Sequence, residues 1–134
     1  MKKFVLFYFA CYDFFMKIEE ISKLLNANIL CNEDKLDLEV FSACGSDLMS
    51  DVMAFVKENV LLLTGLINVQ VIRTATLMDI GAICFVRGKQ PTEEMIEMAK
   101  ENGIILLACK EPLFLACGKL YNAGLVGSGV REIK

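Results

Sequence analysis

Between residues 60 and 124 the chain writes one phrase three times: a short apolar run, a polar or glycine-bearing loop, then a stretch with helical periodicity. The runs are residues 60–64, 82–86 and 104–109. Continuous apolar strands alternating with helices build a mostly parallel sheet covered on both faces. The phrase therefore predicts an α/β fold of three layers, a mostly parallel sheet with helices on both faces. In such sheets ligands lie at the carboxyl ends of the strands. That directs attention to the loops Thr64-Gly65-Leu66-Ile67-Asn68, Arg87-Gly88-Lys89-Gln90-Pro91 and Lys110-Glu111-Pro112.

The remaining elements follow from local signals. Ile18, Ile21, Leu24 and Leu25 line one face of a short helix, and a short strand covers residues 29–31. Residues 38–44 alternate, Leu38, Val40 and Ser42 against Glu39, Phe41 and Ala43, as a half-exposed strand near a sheet edge does. A helix is expected over about residues 47–58, capped by Ser46 or Asp47, with Leu48, Met49, Val52, Met53 and Val56 inward. A second follows Asn68 as N-cap and stops at Gly81. A third starts after Pro91-Thr92, with Glu93 and Glu94 in its first turn, and stops at Gly103. The fourth has Pro112 near its start, Leu113, Phe114, Ala116, Cys117 and Leu120 inward, and Gly124 at its end. Residues 126–134 are a tail, flexible or a short edge strand.

A chain of 134 residues suits one domain. Part of its high mean hydropathy of +0.50 comes from the first fifteen residues. These imitate a signal peptide, with Lys2-Lys3 before an apolar core, but Asp13 interrupts the run and no small-residue cleavage site follows. Two readings stand for residues 1–15: an upstream mis-start with Met16 as the true initiator, which is favoured, or a targeting or anchoring segment. The domain proper is placed at residues 16–125.

A net charge of −3 argues against nucleic acid and anionic membrane surfaces as partners. The absence of histidine removes the commonest metal ligand and general base. The six cysteines form no C-x-x-C pair and mostly lie in or at the ends of apolar runs, as structural free thiols do. Reduced thiols point to the cytoplasm. Cys44 and Cys109 both end strands and are the candidates for a reactive thiol, the weakest of the functional readings.

The candidate ligand-binding residues come from three loops. Cys44-Gly45-Ser46-Asp47 joins a strand to a helix, where glycine permits close approach and the helix amino end attracts anions. Thr64-Gly65 and Asn68 form a second such turn. Arg87-Gly88-Lys89 sets two cations at the end of a third strand, where an anion can dock. The set is Gly45, Ser46, Asp47, Thr64, Gly65, Asn68, Arg87, Gly88 and Lys89. The plain alternative for each is a capped turn or a solvated loop. None of the loops has Walker A or dinucleotide-fingerprint spacing, and no nucleophile–base pair or paired carboxylates stand out. No catalytic residue, metal ligand or cofactor is assigned.

Residues 41–52, Phe41-Ser42-Ala43-Cys44-Gly45-Ser46-Asp47-Leu48-Met49-Ser50-Asp51-Val52, and Leu61-Leu62-Leu63-Thr64-Gly65 resemble the small stand-alone members of the DRTGG-domain family. The resemblance runs from about Met16 to Gly124. The same domain type resembles the amino-terminal, non-kinase domain of HPr kinase/phosphorylase, the regulatory domain of long phosphotransacetylases, and the insert of certain CBS-containing pyrophosphatases. It implies a bacterial, non-enzymatic regulatory module, a homodimer, that senses a small anion such as an adenine nucleotide. The alternative it leaves open is an interaction module for a kinase-like or hydrogenase-associated partner, with no small ligand. The chain departs from the naming motif: Leu66-Ile67-Asn68 and Val86-Arg87-Gly88 stand where Asp-Arg and Thr-Gly-Gly are usual, and only Gly88 survives. Arg87 would restore a cation from the other loop.

Overall fold

The computed structural model describes residues 14–56 and 58–127. The elements are β1 (Met16–Lys17), α1 (Ile18–Leu24), β2 (Asn28–Cys31), a 3-10 turn (Glu33–Lys35), β3 (Glu39–Val40), β4 (Ser42–Gly45), α2 (Met49–Phe55), β5 (Val60–Thr64), α3 (Val69–Leu77), β6 (Ala82–Phe85), α4 (Glu93–Glu101), β7 (Ile105–Ala108), α5 (Leu113–Ala123) and β8 (Val126–Gly127). Six strands form one sheet in the order β2-β7-β6-β5-β4-β8, and β1 pairs with β3 in a separate two-stranded ribbon. The main sheet is parallel except for β2, which runs antiparallel beside β7. This is the mostly parallel α/β sheet that the repeated phrase predicts.

The strand order explains the layers. From β4 to β7 each crossover steps one place in the same direction, so right-handed connections put α2, α3 and α4 on one face. The connection from β7 to β8 returns across the whole sheet, which puts α5 on the other face beside α1. The core divides accordingly. Val60, Leu62, Ile83, Phe85 and Leu106 pack against Met49, Val52, Val71, Ile72, Ala75, Met95 and Ala99. Leu61, Leu63, Cys84, Ile105 and Leu107 pack against Ile18, Ile21, Leu25, Ala116 and Leu120. Alternate residues of each strand thus serve opposite cores, which is why the runs are apolar throughout. Full burial of a leucine or isoleucine side chain contributes roughly 1.5–3 kcal/mol.

Local departures have local causes. The stretch 38–44 is two strands, broken at Phe41, because β3 pairs with β1 while β4 joins the main sheet. Its alternation survives, with Val40 and Ser42 buried. α2 is shorter than expected and has no side-chain cap. Leu48 and Met53 are exposed. Asn68 and Thr92 do cap α3 and α4, each accepting a backbone N–H. α3 stops at Leu77, before Gly81, because Asp79 takes the left-handed turn (φ 58°). Gly81 instead gives room to Leu38, whose Cδ2 would lie 2.9 Å from a Cβ there. Phe114, expected inward, is 85% exposed, while Gly103 and Gly124 end their helices at positive φ.

Of the leading residues 1–15, Phe14 and Phe15 pack on the domain. The Phe14 ring lies over Gly124, and the Phe15 ring is 5.8 Å from that of Phe41. Residues 1–13 and 128–134 lie outside the described residues. The tail begins as β8, paired parallel to β4 through Ser42 and Ala43. Among the described residues no helix is long and apolar enough to cross a membrane.

Candidate functional site

The carboxyl ends of β4, β5 and β6 are neighbours in the sheet, so the three loops named from the sequence meet on one rim. Asp47 ties them together. Its Oδ1 accepts from the Thr64 hydroxyl at 2.9 Å and from the Gly65 N–H at 2.7 Å. Its Oδ2 lies 4.0 Å from Nη2 of Arg87. The Thr64 Oγ1 also accepts from the Leu66 N–H at 3.1 Å, so this buried hydroxyl both donates and accepts. Asp47 therefore bridges between loops and does not cap α2. Gly65 leaves space for the guanidinium, since a Cβ there would stand 2.8 Å from Nη2 of Arg87.

The loop carrying Arg87 is a strained tight turn. Arg87 and Gly88 have φ of 59° and 70°, and Lys89 N–H donates to the Val86 carbonyl at 3.1 Å. Two successive positive φ values closed by that bond are the pattern of a type I′ turn, which favours glycine, asparagine or aspartate. Arginine there costs energy unless its surroundings impose the shape. They do: Arg87 N–H donates to the Glu111 carbonyl at 2.8 Å, and Gly88 N–H to the Cys109 carbonyl at 2.9 Å. The loop after β7 thus holds the turn. The Arg87 side chain is 54% exposed and the Asp47 side chain 49%, so the pair is open to solvent. Such an exposed ion pair contributes about 0–1 kcal/mol and is readily exchanged for another partner.

Of the expected set, Asp47, Thr64, Gly65 and Arg87 come together. Asn68 stays at the amino end of α3, its Oδ1 accepting the Gln70 N–H at 2.8 Å. Gly88 and Lys89 serve the turn, with the Lys89 residue exposed. Ser46 is occupied locally: its N–H donates to the Leu63 carbonyl at 3.0 Å and its Oγ accepts the Leu48 N–H at 3.0 Å. Gly45 faces away, because a Cβ there would stand 2.6 Å from Cys117 Sγ on α5. Cys44 and Cys109 do not meet. β5 and β6 lie between their strands, and the two pack into opposite cores. The near neighbour of Cys109 is Cys84, with sulfurs 3.8 Å apart. Cys84 and the Glu111 carbonyl went unassigned in the sequence, although alternation along two adjacent runs does put Cys84 and Cys109 on one face.

A concavity of about 390 Å³ lies on the α5 side of the sheet, apart from this rim, lined by Ala43, Gly45, Cys117, Leu120, Leu125 and Val126 among others. Phe114 and Tyr121, 73% exposed, stand at its border. It carries no charged side chain and shares only Gly45 with the loop set. Among the described residues no three His, Cys, Asp or Glu side chains gather as a metal site.

No family model matches the chain, and no curated protein matches it. Among solved structures similar in fold are the CBS and DRTGG domains of the regulatory region of Clostridium perfringens pyrophosphatase, complexed with the activator diadenosine tetraphosphate. The TM-score is 0.66 at 18% sequence identity, over 78% of this chain. The match covers 45% of that chain, so this protein spans less than half of its similar structure.

Proposed function

We propose that this protein is a non-enzymatic regulatory domain that senses a small anionic ligand, an adenine nucleotide, at the carboxyl rim of β4, β5 and β6. The observation that carries the reading is Arg87: a half-exposed cation, held on a strained turn, whose acidic partner among the described residues is Asp47, at a long 4.0 Å. Strain maintained by surrounding bonds is a pointer to function. The similar fold comes from a regulatory region crystallised with a nucleotide activator, which supports the same class of role. Entry of the ligand is an exchange. A phosphate oxygen takes the guanidinium from Asp47, and Asp47 keeps Thr64 and Gly65 in place. The module acts as a homodimer, so that ligand binding on the rim is felt by a second copy.

Titration calorimetry with AMP, ADP and ATP tests the reading, with Arg87→Ala as control. Binding by at least one nucleotide, weakened tenfold or more in the variant, is the expected result. No heat with any of them, or heat that the variant leaves unchanged, removes the site. Asp47→Asn adds a signed check: loss of the competing carboxylate tightens nucleotide binding, by roughly threefold to tenfold for one charge a few ångströms away in a solvent-exposed setting.

The apolar border of α5 favours a second reading, an interaction module with no small ligand. Phe114→Glu with Tyr121→Glu separates the two: it leaves nucleotide heat intact on the first reading and abolishes partner capture on the second.

A further inference from the structure

Beneath the Arg87 turn lie two thiols that the anion site does not use. Cys84 sits on β6 and Cys109 directly after β7, on the same face of two parallel neighbouring strands. Cys84 pairs with Leu107 and Phe85 with Ala108 in register, so the two cysteines are diagonal neighbours. Their sulfurs stand 3.8 Å apart. We propose that Cys84 and Cys109 are a modification site, an oxidisable thiol pair that a hydroperoxide converts into a disulfide across β6 and β7.

The two thiols differ in acidity, which assigns their roles. Cys109 is lowered to about 7 from 9.0, first by the hydrogen bond from the Cys84 thiol, against the opposing effect of burial. A backbone hydrogen bond at Glu111 and the charge of Lys119 also lower it. Cys84 is pushed up, first by its hydrogen bond with Cys109 and then by burial. Cys109 is thus the thiolate that attacks, and Cys84 keeps the proton. In the first step the Cys109 sulfur attacks one peroxide oxygen, the O–O bond breaks, and hydroxide leaves with Cys109 as the sulfenic acid. In the second, the Cys84 sulfur attacks the sulfenic sulfur and its hydroxyl leaves as water, taking up the Cys84 proton. The pair gives up two electrons and two protons, and one hydrogen peroxide becomes two waters.

Geometry permits the closure. The sulfurs must approach from 3.8 Å to about 2.05 Å, and because diagonal neighbours stand farther apart than opposite ones, side-chain rotation is accompanied by a shift of the chain just after β7. Both thiols are buried, Cys109 at 3% exposure and Cys84 at 0%. A peroxide is little larger than water and enters by local opening of the chain just after β7, where the Gly88 N–H holds the Cys109 carbonyl. Cys44 and Cys117 are raised by burial and stay protonated, so they react more slowly.

The test uses the full chain, treated with hydrogen peroxide, alkylated in denaturant and digested with trypsin. Cys84 and Cys109 fall on different peptides, residues 74–87 and 101–110. The expected product is those two peptides joined, two hydrogens lighter than their sum, and separated again by dithiothreitol. Full alkylation of both cysteines after treatment, or a bond from either to another cysteine, overturns the proposal. In Cys84→Ser, whose hydroxyl can still donate to Cys109 but cannot form a disulfide, the cross-link is lost and Cys109 is trapped by dimedone as its sulfenic acid. Absence of that adduct in the folded variant overturns the role given to Cys109. Should the variant not fold, the wild-type peptide map decides alone. Neither result depends on nucleotide binding.

Discussion

At Arg87 the side chain and the backbone ask for different residues. The positive φ of 59° suits glycine, whereas the proposed anion site needs a cation. Arg87→Gly should separate the two demands. Stability is expected to hold or rise, by up to about 1 kcal/mol, because relief of left-handed strain outweighs a weak exposed ion pair. Nucleotide binding is expected to vanish. Chemical denaturation beside calorimetry checks both, and a large loss of stability would mean that the guanidinium is structural. Gly65 belongs to the same design, since only a residue without Cβ lets the guanidinium lie where it does.

Cys109 carries a pH dependence of definite sign. Its folded pKa, about 7, is below the ordinary 9.0. The folded state therefore releases the proton first, and the contribution is complete above pH 9. It is lost as pH falls through 7. Denaturation midpoints from pH 6.5 to 9, compared with Cys109→Ala, should show wild-type stability rising with pH relative to the variant. Parallel curves would contradict the acidity assigned to this thiol.

At the scale of elements, the signals that could be read were the local ones. Thr92 is followed three residues later by the N–H it accepts, from Met95 at 3.2 Å, so a cap at that spacing is visible in the sequence. Thr92→Ala should cost about 1 kcal/mol, seen as a lower denaturation midpoint with unchanged slope. Asp47 has the same cap-like appearance, yet its partners Thr64 and Gly65 lie on the next loop. No local rule reports a bond of that span. The same limit applies to the Cys84–Cys109 contact, which needs strand register. Phe114 was misplaced for another reason. Helical periodicity marks an apolar face but does not say whether anything covers its border, and Phe114, in the first turn of α5, is left exposed.

For the molecule as a whole, the parallel sheet and its two helical layers were legible because alternate residues of the same strands feed both cores. Leu62 and Leu63 are adjacent, both at 0% exposure, and face opposite layers. Leu62→Ala and Leu63→Ala should each cost about 2–5 kcal/mol. Both should move one shared unfolding transition, as expected of a small single domain. Two separable transitions, each sensitive to one variant, would show that the layers unfold independently. The site was legible to the extent that the fold was: topology brings the three loops to one rim, but which side chains grasp one another is settled by contacts across loops.

The strand order also sets a sequence of events during synthesis. β4, β5, β6 and β7 emerge in the order in which they lie side by side, so each can add to a finished neighbour as it leaves the ribosome. β2 cannot: Asn28 pairs with Ala108, and the strand must stay unpaired until nearly the whole domain has been made. Distant pairings of this kind are slow and expose strand edges in the interval. A strand translated early is thus among the last to dock, and during that wait the growing chain has the most to gain from a chaperone.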